Sequence, residues 1–550
     1  MIMYRLKNII SIIVIIVLAF FVSCQDLDEL NINPNGVDPA NADLNLLMPT
    51  FLIGTGQQVV SLGVGDIAGV MQHTQKDGWS GGHNDYDWSS QSWSAYYGNL
   101  RNIHEFHKKA VEGEYKFHEG VALIMKACNF GMITDLWGDA PFSEALKAED
   151  GSEFFKPKFD PQKEIYLGIL ADLESANTLL SQSSSNNSNI NSTQDLLYKG
   201  DAAKWRKLAN SLALRYYMRL SAKESGIAQE GISKIASDPV TYPVITNASE
   251  DATLGYIGSS PSDSWPTNTV YDTDPRGSYF RVKMCATLVD AMQELNDPRL
   301  GVYANKIEIP LQKVEGENID RIVNGIRQVS QDIIDDYMEA WGVGVDFDPE
   351  YVGIPPSVYA APQYNLNPNL DQAVYNPHCS QLNDIYKQTD GDLLLMRLMS
   401  AAEVHFILAE AAMYGWAPGS PEEHYAAGIQ QSFNAWGIGG AFAGYIDGAP
   451  YTGLESIIEQ KWIASWTAAA EAWFDWRRTG LPELHAGESA RRKALPLRFY
   501  YHLSEEISKN QLNADEAINR LEPTQYLGTD QTNNSAWSKM WLLQDTNKPY

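Results

Sequence analysis

The 550-residue chain predicts a mainly α-helical fold: a curved scaffold of helix pairs carrying large irregular loop insertions on one side, with little β-sheet. Three observations predict it. Apolar residues recur at helical spacing in successive long segments. Several of these segments are joined by short polar links, as antiparallel helix neighbours require. The stretches 237–275, 297–330 and 341–392 are rich in Pro, Gly, Asn, Asp and Tyr and carry no periodicity. Loops of that length are uncommon in compact domains and usually carry function. With 44% hydrophobic and 20% charged residues the chain can bury a large core. No Pro/Ser-rich linker divides it, so one continuous body is expected over 48–550.

The N-terminus speaks to the compartment. Arg5 and Lys7 precede an apolar run over 9–22 that is broken only by Ser11. The run is shorter than the roughly 18 residues of a membrane span and fits a signal peptide, 1–23. It ends Phe21-Val22-Ser23-Cys24, which resembles a bacterial lipobox with Phe where Leu is usual. Lipid on Cys24 would supply the more than one acyl chain that stable anchoring needs; the alternative is an ordinary cleaved signal. The acidic cluster Gln25-Asp26-Leu27-Asp28-Glu29 resembles a surface-export signal of lipoproteins. Residues 24–47 then read as a tether, punctuated by Pro34, Gly36 and Pro39. Cys128, Cys285 and Cys379 remain, an odd number, so no disulfide scaffold is expected; Cys128 lies in an apolar helical run and reads as a buried thiol.

The elements follow in order. Residues 48–71 are apolar with scattered glycines and predict the first core helix. Residues 93–111 and 119–136 predict a helix pair. Next comes 161–180, with Ile165, Ile169, Leu170, Leu173 and Ala176 on one face. The polar, low-complexity stretch 181–193 predicts a flexible surface loop. Residues 201–220 are helical, with a stripe of Trp205, Leu208, Ala209, Leu212 and Tyr216. Further helices are expected over 276–295 and 396–415, the latter pairing with 421–436. The stretch 452–482 reads as one long central helix. Thr452 and Glu455 form a capping box, Arg477 and Arg478 suit the dipole of the last turn, Gly480 can take the left-handed cap, and Pro482 forbids continuation.

The loop 76–93, KDGWSGGHNDYDWSSQSW, is not written like a core segment, because so many Asp, Asn and Ser would be buried unpaired. Flat aromatic faces stack on sugars and short polar groups bond hydroxyls, so Trp79, His83, Asn84, Tyr86 and Trp88 are the first ligand candidates. Trp93 is assigned to the following helix. The loop 259–279 has similar composition and gives Trp265, Tyr271 and Tyr279 as a second set. His104 and His107 have a spacing that can bind metal, but no third ligand is predictable. Asp85 and Asp87 have no defined separation in a glycine-rich loop, so they do not make a glycosidase pair. No nucleophile elbow, phosphate loop or His-Glu-Xaa-Xaa-His is present. The run Asp475-Trp476-Arg477-Arg478 reads as an internal ion pair closing a helix end. A net charge of −28 argues against nucleic acid as a partner. It also disfavours highly anionic polysaccharides unless a local basic pocket overrides it.

The helix–turn–helix units resemble tetratricopeptide repeats, without a clean 34-residue period. Several stretches together resemble the SusD/RagB family of nutrient-binding outer-membrane lipoproteins. They are 135–142 (DLWGDAPF), 200–205 (GDAAKW) continuing to 210–215 (NSLALR), Ala402-Glu403-Val404 with Ala409-Glu410-Ala411, and the two segments 459–462 (EQKW) and 471–480 (EAWFDWRRTG). The resemblance implies a non-enzymatic, surface-exposed protein anchored in the outer membrane through Cys24; no cofactor is expected, and no metal-binding residues are assigned. It would catch oligosaccharide or peptide and deliver it to a partner SusC-like TonB-dependent β-barrel transporter. From another class, a secreted helical glycoside hydrolase or lyase is the competing reading.

Overall fold

Residues with strong apolar periodicity form the helices of the computed structural model, which describes residues 43–183, 189–369, 371, 375–503 and 508–550. The signal peptide, Cys24, most of the tether and the centre of the 181–193 loop lie outside the described residues. Residues 47–550 form one compact unit; of the other unit, Met1–Leu46, only residues 43–46 are described.

The first half is built from helices α1 (Met48–Val64), α2 (Asp66–Val70), α3 (Ser94–Glu112), α4 (Lys116–Trp137), α5 (Gln162–Ser181), α6 (Ala202–Leu220) and α7 (Ser225–Ser237). Helices α3 to α7 pack each on the next; the α3–α4 contact is the helix pair expected over 93–136, and α7 adds a helix beyond those expected. Helix α4 is buried along nearly its whole length and so is apolar all round, as a central helix must be. Asp201 caps α6, accepting from the amides of Ala203 and Lys204. The strands in this half are short: β1 (Thr74–Lys76) and β2 (Ser90–Gln91).

The second half holds β3 (Ala252–Gly255), α8 (Ser278–Arg281), β4 (Val282–Met284), α9 (Ala286–Glu294), α10 (Leu300–Tyr303), β5 (Leu311–Lys313), β6 (Asp320–Val323), β7 (Ile326–Val329) and α11 (Gln331–Trp341). After these come β8 (Leu395–Met399), α12 (Ala401–Met413), α13 (Pro421–Ala435), α14 (Phe442–Tyr445), α15 (Leu454–Ala464), α16 (Ala469–Thr479), β9 (Tyr500–Tyr501), α17 (Gln511–Asn519), β10 (Glu522–Pro523) and β11 (Ser538–Lys539). The fold is mainly helical, with little strand. The sheets are small: β1–β4, β3–β8 and β10–β11 antiparallel, β2–β9 parallel, and the three-stranded β5–β7–β6.

Four expectations about elements need correction. The 48–71 helix is interrupted at Gly65, whose φ/ψ of −84°/−149° is not helical. The 276–295 segment is α8, β4 and α9, because Val282–Met284 is drawn out to pair with Thr74–Lys76. The 396–415 segment is β8 then α12; β8 pairs with β3, and Ser400 caps α12 through the amide of Glu403. The long 452–482 helix is two helices, α15 and α16, split at 465–468. Ser465 donates its hydroxyl back to the Lys461 carbonyl at 2.7 Å, and Thr467 sits in the left-handed region at φ 65°. The break packs closely on α1: a Cβ on Gly63 would lie 1.9 Å from the Thr467 carbonyl oxygen, so only glycine leaves room for it there. The break also frees Trp466 to stack on Tyr303, with centroids 4.8 Å apart. The expected capping box is absent, since Gly453 is the N-cap and Ser456 takes the Thr452 amide instead. The other end is as expected: Gly480 is left-handed at φ 76°.

A buried ionic seam ties the helices together. Arg215 binds Glu403 at 2.6 Å and Glu471 at 3.4 Å; Arg219 binds Glu471 at 2.6 Å and Asp135 at 3.4 Å. Asp475 joins Lys461 at 2.7 Å and Arg478 at 3.1 Å, and Arg478 holds Glu410 through two bonds of 2.5 and 2.7 Å. The motif 475–478 is therefore an internal ion pair. Burial pushes the carboxyl of Glu471 upward, but Arg215 and Arg219 outweigh it and hold it below its ordinary range. Such a seam adds little net stability over an apolar core, yet removing one partner strands a buried charge.

Candidate functional site

Strand β1 and the loop after it, 77–93, are fixed from below by their own side chains. Asn84 accepts from the Lys76 amide at 2.8 Å and donates to the Lys76 carbonyl at 2.7 Å, folding the loop back on the strand. Gly69 of α2 lets the loop approach: a Cβ there would sit 2.1 Å from the His83 carbonyl oxygen. His83 is buried, its Nε2 3.0 Å from the Thr74 hydroxyl and its Nδ1 3.7 Å from Asp66. Burial pushes the imidazole pKa down to about 4, against the pull of Asp66. Tyr86 is also buried, with a left-handed φ of 56°, and burial raises its phenol.

Two other loops lock onto this one. The Ser357 amide donates to Gln75 Oε1 at 3.1 Å, and its hydroxyl donates to the Asn84 carbonyl. The Ser489 amide donates to the Ser357 carbonyl at 2.9 Å, while its hydroxyl donates to Asp85 at 2.6 Å. Arg491 pairs with Asp87 at 3.2 Å. Both carboxylates imagined as a hydrolase pair are thus occupied in joining loops.

Above this frame lies an open cleft of about 720 Å³ between α1, α2, β2 and α3. Its base is aromatic: Trp88, Tyr96, Trp137 and Phe499. Trp88 donates its indole N–H to the Gly82 carbonyl at 2.8 Å and meets Trp473 and Phe499 edge-on at 5.5 and 5.3 Å. Amides, hydroxyls and one acid form the walls, among them Gln57, Gln58, Ser61, Asp66, Gln91 and Asn102. For Asp66, burial pushes the carboxyl up, but His83 and Lys76 prevail and lower it, so the acid at the cleft's edge is ionised. An apolar base with a few convergent hydrogen-bonding groups is the general form of a small-ligand site.

The candidates from the sequence therefore fall into three groups. Trp88 lines the cleft. His83, Asn84 and Tyr86 are buried within the loop's frame and do not line the cleft, contrary to their expected exposure to ligand. Trp79 is 62% exposed and stands on the same loop outside the cleft wall. In the second set, Trp265 is buried at 1% exposure, bonds Thr267 and packs on Tyr256 and Tyr386. Tyr279 is buried and donates to the Leu382 carbonyl at 2.6 Å. Both are core residues of their loop, while Tyr271 remains 40% exposed. His104 and His107 lie on α3; among the described residues no cluster of three ligating side chains could hold a metal ion.

Sequence reasoning missed the cleft's walls. A signal was present: Gln57 and Ser61 are four apart on an otherwise apolar helix, and Tyr96, Asn99 and Asn102 repeat every third residue on α3. Asn99 itself is buried and bonds Phe51, Thr55 and Asn129, fixing α1 against α3 and α4.

A family model described as "Starch-binding associating with outer membrane" matches residues 55–502. Among solved structures, a chitin-binding protein is 24% identical, covering 92% of this chain and 100% of its own, with a TM-score of 0.69. A SusD homolog from Bacteroides fragilis is 21% identical over 92% of this chain and 99% of its own, TM-score 0.66. A chitin-binding SusD homolog from Flavobacterium johnsoniae is 20% identical over 90% and 99%, TM-score 0.64. No curated protein matches the chain. At these identities the structures show a shared fold. Among the described residues no helix is long and apolar enough to cross a membrane.

Proposed function

The chain belongs to the SusD-like family, whose model is described as starch-binding and associated with the outer membrane, and from that premise we propose that it binds an oligosaccharide nutrient in the cleft beside the 77–93 loop. It holds the ligand without cleaving it and passes it to a partner TonB-dependent β-barrel transporter. Lipid on Cys24 keeps it on the outer membrane, facing the cell exterior.

The observation that carries the binding role is the composition of the cleft. Trp88 and Tyr96 offer aromatic edges at the base, and Gln57, Ser61, Gln91 and Asn102 offer neutral hydrogen-bonding groups around them. Sugars present the complementary pattern of apolar C–H faces ringed by hydroxyls. Hydrogen bonds from Asn84, Ser357 and Ser489 hold the frame beneath, so less entropy is lost on binding.

The test is calorimetric titration of the full chain with maltooligosaccharides, chito-oligosaccharides and a mixed tripeptide panel, followed by assay for new reducing ends. We expect one glycan class to bind, no cleavage, and a loss of about tenfold or more in affinity when Gln57 and Asn102 are both changed to Ala. Binding of peptides alone would move the ligand to the alternative class, and new reducing ends would establish the hydrolase reading. Co-purification of a β-barrel transporter from gently solubilised outer membrane tests the delivery step.

A further inference from the structure

Trp79 is held outward by a backbone that few tryptophans adopt, with φ at 48°. A left-handed conformation is strained for a bulky residue and persists only where the surroundings fix it. What faces the indole is Arg281, whose guanidinium carbon lies 4.9 Å from the ring centroid. At 62% exposure the rest of the ring is open to solvent. Arg281 is half-buried; its Nη2 donates to the Ser278 hydroxyl at 3.2 Å, its Nε is sealed without a hydrogen-bond partner, and Nη1 has no partner among the described residues. No described carboxylate lies within 4.0 Å of this guanidinium, although its basic neighbours are both matched: Lys76 with Asp66 at 3.6 Å and Lys283 with Asp77 at 2.5 Å. In a chain with 69 acidic against 41 basic residues, a partly buried cation without an acid beside an open tryptophan calls for an anionic partner from outside.

We propose that Trp79 and Arg281 form a subsite for a sugar ring bearing a carboxylate, so that the glycan captured by this protein includes uronic-acid residues. The ring's C–H face stacks on the open indole and its carboxylate meets the free N–H edge of Arg281. This rests on the carbohydrate reading of the cleft, to which the subsite is linked through β1: the Asp77 amide donates to the Arg281 carbonyl at 3.1 Å, the adjacent Lys76 pairs with Asp66, and Asp66 lines the cleft. Guanidinium suits the role because its planar fork both stacks on aromatics and bonds carboxylates.

The test uses the full chain labelled with 5-fluorotryptophan, the Trp79 and Trp88 resonances being assigned with Trp79→Phe and Trp88→Phe. Methyl β-glucuronide, methyl β-glucoside, sodium acetate and N-acetylglutamate amide are titrated in turn. We expect the glucuronide to shift the Trp79 line at about fivefold lower concentration than the glucoside. That preference should vanish in Arg281→Gln, return in part in Arg281→Lys, and weaken as salt rises from about 20 to about 500 mM. Equal response to the two sugars, or a preference that survives Arg281→Gln, would overturn the proposal. So would an equal effect of acetate, which marks a bare anion site, or a stronger effect of N-acetylglutamate amide, which marks an acidic-peptide site. The Trp88 line decides the underlying reading separately. If no glycan of the neutral panel moves it, the cleft is not a carbohydrate site, whatever the Trp79 line does.

Discussion

Replacing His73 by Gln should make the protein less sensitive to acid. His73 ends the turn before β1, with its Nε2 3.1 Å from the Trp462 carbonyl oxygen and its ring against Trp462 and Trp466. Burial drives its pKa from 6.5 down to about 4, only partly offset by the Trp462 carbonyl. The folded chain therefore refuses a proton that the unfolded chain accepts once the pH drops below 6.5. Stability falls through the window between 6.5 and about 4 and is constant outside it. Between about pH 7 and about pH 4.5 this one ring costs about 2 kcal/mol of unfolding free energy. Gln keeps a donor for the carbonyl and has nothing to titrate. Other groups complicate the raw profile: burial raises Asp251 to about 7 and Asp290 to about 6, so these take up protons first in the folded state and add stability as pH falls. They are common to both proteins and cancel in the difference. The assay is urea unfolding followed by circular dichroism at the two pH values, with equal m-values as the check on comparability. Equal acid losses in His73→Gln and the parent would refute the reasoning, because the ring would then be charged or solvated in the fold.

Two further predictions address the scaffold and the loop. Glu410→Ala removes the bidentate partner of Arg478 and leaves that guanidinium with Asp475 and the Ser221 hydroxyl; the expected loss is about 3–5 kcal/mol. In a unit of this size that lowers the melting temperature by about 3–5 °C by calorimetry, and an unchanged midpoint would show the seam to be solvated. Asn84→Ala cuts both bonds that fold the 77–93 loop onto Lys76. Amide exchange over 77–88 should rise at least about tenfold while α4 stays protected, and protection lost everywhere would mean the loop is part of the global folding unit.

The scaffold was legible because its signals are local. Helices α3 to α6 and α13 were placed within a few residues by apolar spacing, and the C-cap at Gly480 by a single glycine, whereas α7 (Ser225–Ser237) was not foreseen. What failed was whatever a distant partner decides. The split between α15 and α16 occurs in SWTAAA, where no Gly or Pro announces it, and its Thr467 carbonyl packs against Gly63 of α1, distant in the chain but in direct reach in space. Strand β4 hides in RVKMC because only its pairing with β1 draws it out. For the candidate site, composition singled out the 77–93 loop, whose Trp88 and Gln91 line the cleft, but not the orientation of its residues. Trp79 and Tyr86 are seven apart in one polar stretch, yet one is largely exposed and the other fully buried. Trp265 and Tyr279 were legible as aromatic loop residues, whereas their burial depends on Tyr386 and Leu382, more than a hundred residues later. The cleft's polar wall on α1 faces a loop, so its Gln and Ser read simply as a solvated helix face.

The charge of the chain bears on how a carboxylate-bearing ligand could be selected at all. Burial takes comparable numbers of both signs into the interior, Arg215, Arg219, Arg299, Arg478 and Lys461 being paired with Asp135, Asp297, Glu410, Asp475 and the part-buried Glu403 and Glu471. Among the described residues the interior therefore does not take up the acidic excess of the chain, and exposed carboxylates repel anions at long range. Screening limits that repulsion to about 8 Å at physiological ionic strength, while the contact at Arg281 acts at hydrogen-bond distance beside an indole that displaces water. Salt then works in opposite directions on the two terms, speeding the approach of an anionic glycan and loosening its grip. Discrimination in favour of a carboxylate must accordingly reside in the dissociation rate, set by one arginine and the tryptophan stacked upon it, and not in the overall field of the protein.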